Sequence, residues 1–242
     1  MEKRDLLYSG KAKSVYTTDD ADKVIIHYND DATAGNGAKH AIIENKGVLN
    51  NQITTLIFEA LKSAGVPTHH IQTLNDREQL CQKVTIIPLE VITRNTIAGS
   101  MAARLGIEEG TRPENVIYEL CYKNDALGDP LINDDHAVAL GIASYEELAT
   151  IYDLTDAINE TLDTLFSEIG IDLVDFKIEF GKTSSGEIIL ADEISPDTSR
   201  LWDSKSGEKL DKDRFRRDLG GLTNAYEVVL ERLKAFSKRS SS

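Results

Sequence analysis

An α+β fold with two lobes and a cleft is what the sequence predicts, on three observations. Strand patterns with period two precede residue 30 and recur between residues 68 and 94. Several later stretches instead carry apolar residues at helical spacing, and residues 171–194 read as a β-hairpin with one charged face. A chain of 242 residues with 40% apolar and 28% charged residues can bury a sizeable core. Its formal charge of −14 argues against nucleic acid as a partner, because phosphate backbones need an excess of Lys and Arg.

Around GKAK, Leu6, Leu7 and Tyr8 before and Val15 and Tyr16 after predict two short strands. Gly10 lets the backbone turn tightly, and Lys11 and Lys13 flank the turn, either solvated or beside phosphate oxygens. No Walker A pattern is present. A strand is expected over 22–29, and DDATAGNGAK then reads as a Gly-rich polar loop, a lid or a plain connector. Leu49, Ile53, Leu56, Ile57, Ala60 and Leu61 predict a helix from Lys46 to Ala64, stopped by Gly65 and assigned to packing.

THHIQTL, QKVTIIP and LEVITRN are expected as strands, the last with Glu90, Ile92 and Arg94 on one face. Thr96 to Leu105 reads as a short helix with Ala98, Gly99 and Ser100 in its first turn, a candidate phosphate site beside Arg94. After a strand at VIYELCYK comes a loop with Asp125, Asp129, Asp134 and Asp135, whose acids serve as turn formers or as ligands for a metal or amine. Ser144 and Glu147 form a capping box for one helix, and Leu154 to Ile169 line a second, ended by Gly170.

In the hairpin, Val174, Phe176, Ile178 and Phe180 alternate with Asp175, Lys177 and Glu179. If the strands pair with an even offset, Asp192 joins the charged face, and two carboxylates can grip one cation; otherwise the face simply meets water. SPDTSRLWD, with neither period, reads as an ordered loop beside these acids. A final helical region over 211–236 is expected to break at Gly220 and Gly221.

The five histidines show no zinc spacing, and no GxSxG is present, which argues against a zinc or serine hydrolase. Cys81 and Cys121 are isolated, and no signal peptide or membrane-spanning run is visible, so a reducing, cytoplasmic setting is expected.

Together, YSGKAKSVY, ATAGNGAK, EVITRNTIAGS, LVDFKIEFG, ADEISPDTSRLWD and DKDRFRRDLGGL, in this order, resemble the phosphoribosylaminoimidazole-succinocarboxamide synthase (SAICAR synthetase) family. The resemblance implies a two-lobed fold related to protein kinases and ATP-grasp enzymes. An antiparallel-sheet lobe over residues 1–88 would bind nucleotide, and a mixed lobe over 89–242 would bind substrate and metal, with ATP in the cleft. It implies a ligase that joins carboxyaminoimidazole ribonucleotide (CAIR) to L-aspartate with ATP and Mg²⁺, through an acyl phosphate, with a second copy of the chain as a further candidate partner. A kinase-like phosphotransferase is the alternative, against which no HRD or DFG run is visible.

By the same resemblance Gly10, Lys11, Ala12 and Lys13 hold nucleotide phosphates, Ile86 lies against adenine, and Glu179 and Asp192 hold the ATP-bound metal. Glu90 and Asp129 match acids for a second metal at the imidazole carboxylate. Arg94, Ser100 and Arg200 match the ribonucleotide phosphate site. Lys177 is expected at the reacting centre, with Asp175 orienting it or taking the amine proton. Asn36 stands where many members carry Asp, which leaves the role of the Gly-rich loop open.

Overall fold

The computed structural model describes residues 1–35 and 37–240, without the side chain of Ser240. Asn36, in the Gly-rich segment, lies outside the described residues. β1 (Lys3–Ser9) and β2 (Lys13–Thr18) pair antiparallel about Gly10, whose N–H donates to the Lys13 carbonyl at 2.8 Å. β2 pairs with β3 (Lys23–Tyr28). The Gly-rich segment is largely a hairpin rather than a loop: β4 (Asp31–Ala34) pairs with β5 (Lys39–Ile42). Gly35 and Gly37 take φ 57° and 86°, left-handed conformations open to glycine, where the two strands are joined.

α1 (Lys46–Ser63) follows as expected, with Gly65 at φ 85° beyond it. β6 (His70–Asn75) and β7 (Glu78–Gln82) complete a sheet of order β1-β2-β3-β7-β6. The strand expected at QKVTIIP is thus displaced. Pairing ends at Gln82, where the Lys83 N–H turns to the Asp22 carbonyl at 2.7 Å, and β8 (Thr85–Ile86) leaves for a second sheet.

β9 (Leu89–Arg94) leads to α2 (Gly99–Leu105), which starts later than Thr96 because Asn95 and Thr96 donate their N–H groups to the Val174 carbonyl. β10 (Ile117–Tyr122), β11 (Leu131–Ile132) and α3 (Asp134–Ala139) follow. α4 (Tyr145–Glu168) is one helix where two were expected, opened by the reciprocal Ser144–Glu147 capping box. β12 (Ile171–Lys182) is the axis of the second sheet, which runs β11-β10-β9-β12-β13 with β13 (Ile188–Ala191). β8 also pairs with β12, and so does β14 (Ser199–Asp203), a strand where a loop was expected; α5 (Asp213–Arg216) and α6 (Leu222–Ser240) are separated at Gly220 and Gly221, both at positive φ.

One hydrophobic cluster joins Ile53, Ile57 and Phe58 of α1, Ile158, Leu162 and Phe166 of α4, Phe176 and Phe180 of β12, and Tyr226 and Val229 of α6. β12 therefore gives its apolar row to the core and holds its charged row at the opposite face. Among the described residues no helix is long and apolar enough to cross a membrane.

Two buried histidines make this core sensitive to acid. His69 and His70 lie against Phe58, with ring centroids 5.7 and 6.1 Å away, and burial lowers both imidazoles from 6.5 to about 4. Both stay neutral in the folded chain while the unfolded chain takes up protons below 6.5, so this stability is complete above that pH and is lost as pH falls toward 4. The loss approaches about 3 kcal/mol per histidine at the acid end of that window. Urea unfolding at several pH values checks this: His70→Gln is expected to flatten the slope, and an unchanged slope would remove His70 as its source.

Candidate active site

Alternation along β12 places Asp175, Lys177 and Glu179 away from the core, yet the row does not face open water. Asp175 and Glu179 are only 4% and 3% exposed. Glu179 and Lys177 border a cavity of about 410 Å³ whose other walls come from the Gly10–Lys13 turn, the β4–β5 hairpin, the segment after β13 and α5. Glu90 and Asp129 also line it. The turn, Glu179 and the second pair of acids are therefore brought together as the resemblance implies.

Asp192 arrives by a different route from the expected one. Glu179 pairs with Ala191, so extending that register would set Asp192 opposite Ile178, on the apolar side. Instead β13 ends at Ala191, and Asp192 takes φ 61°, a left-handed conformation that Asp tolerates better than most residues. The break turns its carboxylate onto the Lys13 ammonium.

Most of the acids at the cavity have a lysine partner. Lys13 pairs with Asp192 and, at 2.9 Å, with Glu193; Lys123 pairs with Glu179; Lys177 pairs with Glu90. Burial alone would lower the Lys13 and Lys177 ammonium groups, but the surrounding carboxylates raise both above the usual lysine range. Burial, then the charge of Asp192, raises Glu179; Asp192 itself, against the effect of burial, is held at about 2 by Lys13. At pH 7 Lys13 and Lys177 are thus charged donors, suited to anionic oxygens. Lys11 reaches across the cavity mouth to Asp125 at 3.0 Å.

Glu179 with Asp192, and Glu90 with Asp129, offer hard oxygen donors in pairs, while among the described residues no group of three or more metal-ligating side chains comes together. That set fits Mg²⁺, which keeps several waters and takes its remaining ligands from substrate phosphates. Asp129 is positioned by the Asn124 N–H, which donates to its Oδ1 at 2.7 Å.

Arg94, Asp175 and Arg200 form a second cluster, off the cavity wall. Asp175 Oδ2 accepts from Arg94 Nη1 at 3.0 Å and Arg200 Nη1 at 2.8 Å; Arg94 Nε donates to Glu119 and Arg200 Nε to Asp213. Asp175 was expected beside Lys177, but two guanidinium groups engage it and Glu90 takes its place at the ammonium. The Arg200 guanidinium lies against Gly99, where any Cβ would overlap it, and Ser100 is exposed in the next position. Ile86 is 38% exposed on β8 and is not among the residues lining the cavity, whose apolar wall comes from Val15 and Ile26.

Sequence reasoning missed several groups at the cavity or just behind its wall. Lys123 merely ended a strand pattern, and Glu193 stood next to an acid already chosen. Lys46, at the start of a helix assigned to packing, is 0% exposed and donates to Asp197 at 2.6 Å. Lys212 and Arg216 belonged to a quoted motif, DKDRFRRDLGGL, to which no role was given.

Known proteins resemble this chain over nearly its whole length. Residues 6–233 match the family model described as SAICAR synthetase. The chain is 74% identical over 234 residues to the phosphoribosylaminoimidazole-succinocarboxamide synthase of Dichelobacter nodosus, covering 97% of this chain and 98% of that one. The crystal structure of the synthase of the same name from Ehrlichia chaffeensis superposes with a TM-score of 0.94 at 44% identity, covering 96% of this chain and 99% of that chain. A SAICAR synthetase in complex with ADP superposes with a TM-score of 0.91 at 46% identity, covering 94% and 97%.

Proposed function

The chain belongs to the SAICAR synthetase family, and from that premise we propose how its cleft performs the ligation. It is an ATP-dependent carbon–nitrogen ligase of purine biosynthesis, and the kinase-like alternative is not favoured. The proposed substrates are ATP, CAIR and L-aspartate, and the products SAICAR, ADP and phosphate. The observation that carries this reading is the set of lysine–acid pairs around one cavity: Lys13 with Asp192, Lys123 with Glu179 and Lys177 with Glu90.

A carboxylate is a poor electrophile. In the proposed sequence an oxygen of the CAIR carboxylate attacks the γ-phosphorus, ADP leaves, and the aspartate amine then attacks the acyl carbon, with phosphate departing and a proton lost from nitrogen. The first step gathers anionic oxygens at one point, and fixed cations that need no reorganisation offset their repulsion. Lys13, with the Gly10–Ala12 backbone and Lys11, is assigned to the nucleotide phosphates. Lys177, poised by Glu90, is assigned to the oxygens between the two substrates. Glu179 with Asp192, and Glu90 with Asp129, would hold Mg²⁺, which supplies charge neutralisation to the phosphates and the reacting carboxylate.

Arg94, Arg200 and Ser100 are assigned to the ribonucleotide phosphate, with Asp175 holding both guanidinium groups in place. Residues 1–88 would serve as the nucleotide lobe and 89–242 as the substrate lobe. Two free, buried cysteines support a cytoplasmic setting.

ADP release with each substrate omitted in turn tests the reading. Release is expected to require both aspartate and the ribonucleotide. ADP formation indifferent to both would overturn it, and a stable phosphorylated product formed without aspartate would favour the kinase-like alternative.

A further inference from the structure

We propose that the side of the cavity between the β4–β5 hairpin and α5 binds the amino-acid substrate, a four-carbon dicarboxylate, with Lys212 and Arg216 each holding one carboxylate. The assignment rests on the ligase reading above and deepens it. Both residues line the cavity together with Thr33 and Gly35 of the hairpin and Thr198. They are four apart on a helical turn closed by the Arg216 N–H donating to the Lys212 carbonyl at 2.9 Å. Side chains at that spacing share a face with Cβ atoms roughly 5–6 Å apart, a separation that suits two carboxylates of one small molecule.

Lys212 differs from the other lysines of the cavity. Lys13, Lys123 and Lys177 each hold an acid, and Lys46 behind the wall holds Asp197. The Lys212 ammonium makes no hydrogen bond or ion pair with any of the described residues. Burial lowers its proton affinity, and although Asp197 raises it, Arg216 and Lys46 add repulsion. A cation kept partly desolvated among other cations, in a chain of net charge −14, is stabilised by an anionic ligand. Arg216 gives Nη1 to Asp213 at 2.8 Å, which fixes its plane.

The two walls are also tied to each other. Lys39 of β5 donates to the Phe215 carbonyl and, at 2.6 Å, to Asp218, and its ammonium lies over the Phe215 ring at 4.5 Å. Hairpin and α5 are thereby held at a fixed separation, so the lysine and arginine face a preformed space. This gives a role to two motifs, ATAGNGAK and DKDRFRRDLGGL, that the nucleotide and ribonucleotide assignments leave unused.

Steady-state kinetics of Lys212→Met and Arg216→Gln test the proposal. Each variant is expected to raise KM for L-aspartate about tenfold or more, with KM for ATP and for the ribonucleotide within about twofold of wild type. Inhibition by succinate, which has both carboxylates and no amine, should weaken in parallel. The Arg216 side chain is 35% exposed, and its loss leaves Asp213 with Arg200 and Arg217, so that variant reports even where Lys212→Met does not fold. An aspartate KM unchanged in the folded variants, or a rise confined to the ribonucleotide KM, would overturn the assignment. Wild-type ADP release that ignores aspartate would instead overturn the ligase reading itself.

Discussion

Asp192→Asn is expected to lower kcat by about a hundredfold or more while changing the unfolding free energy by no more than about 1 kcal/mol. The substitution is informative because of the backbone. Asp192 sits at φ 61°, and Asn is one of the few residues as content there, so the conformation survives and only the charge is lost. Lys13 keeps Glu193 at 2.9 Å and is not stranded. Glu179, whose proton affinity is raised by burial and then by the charge of Asp192, ionises more readily once that charge is gone. Folding therefore loses little, whereas the nucleotide end of the cavity loses one of the two carboxylates assigned to its metal. Chemical denaturation and turnover on the same preparation check both halves; native turnover would remove Asp192 from the metal site.

Asp192 also marks where sequence reading ran out. The helices α1 and α6, the Ser144–Glu147 cap and the alternation of β12 were legible because each is a local pattern over several turns or pleats. The Asp192 side-chain direction is not local: it depends on a strand register and on one left-handed residue, and period two alone would have sent it to the apolar side. β14 was missed for a related reason. Five residues shortly after a proline carry too little alternation to stand out, and pairing with β12 decides their state. The break read into 145–168 had no counterpart, because the cap and the later apolar stripe belong to one helix. The motifs located the cavity acids, yet they could not show that Asp192, Glu179 and Glu90 are each paired with a lysine from another segment, 179 residues away for Lys13 and Asp192.

Lys46→Met is expected to destabilise the fold by about 3–5 kcal/mol, a large share of the roughly 5–15 kcal/mol that holds a domain together. Lys46 is 0% exposed and donates to Asp197 Oδ2 at 2.6 Å, while the Tyr226 hydroxyl donates to Oδ1 at 2.6 Å. Although burial would raise the Asp197 carboxyl, Lys46 first and then Lys212 and Tyr226 hold it well below the ordinary carboxylate range. Without Lys46 the carboxylate stays buried with a hydroxyl and a more distant ammonium, and the desolvation cost is no longer offset. The sign with pH follows. In wild type the depressed pKa keeps its stabilisation down to the unfolded value of 3.8, whereas without Lys46 burial raises the carboxyl and lets the variant neutralise Asp197 as pH falls toward 4, so the gap between wild type and Lys46→Met should narrow in acid. Urea unfolding at pH 7.5 and about 4 measures the gap; a loss below about 1 kcal/mol at the higher pH would show that the pair is not what keeps Asp197 ionised. Adding Asp197→Asn to Lys46→Met should recover part of the loss, because it removes the uncompensated charge. Asp197 lines the cavity beside Lys212 and Thr198, so the first residue of α1 does more than pack: its ammonium lets a carboxylate remain ionised in the wall against which the amino-acid substrate is proposed to lie.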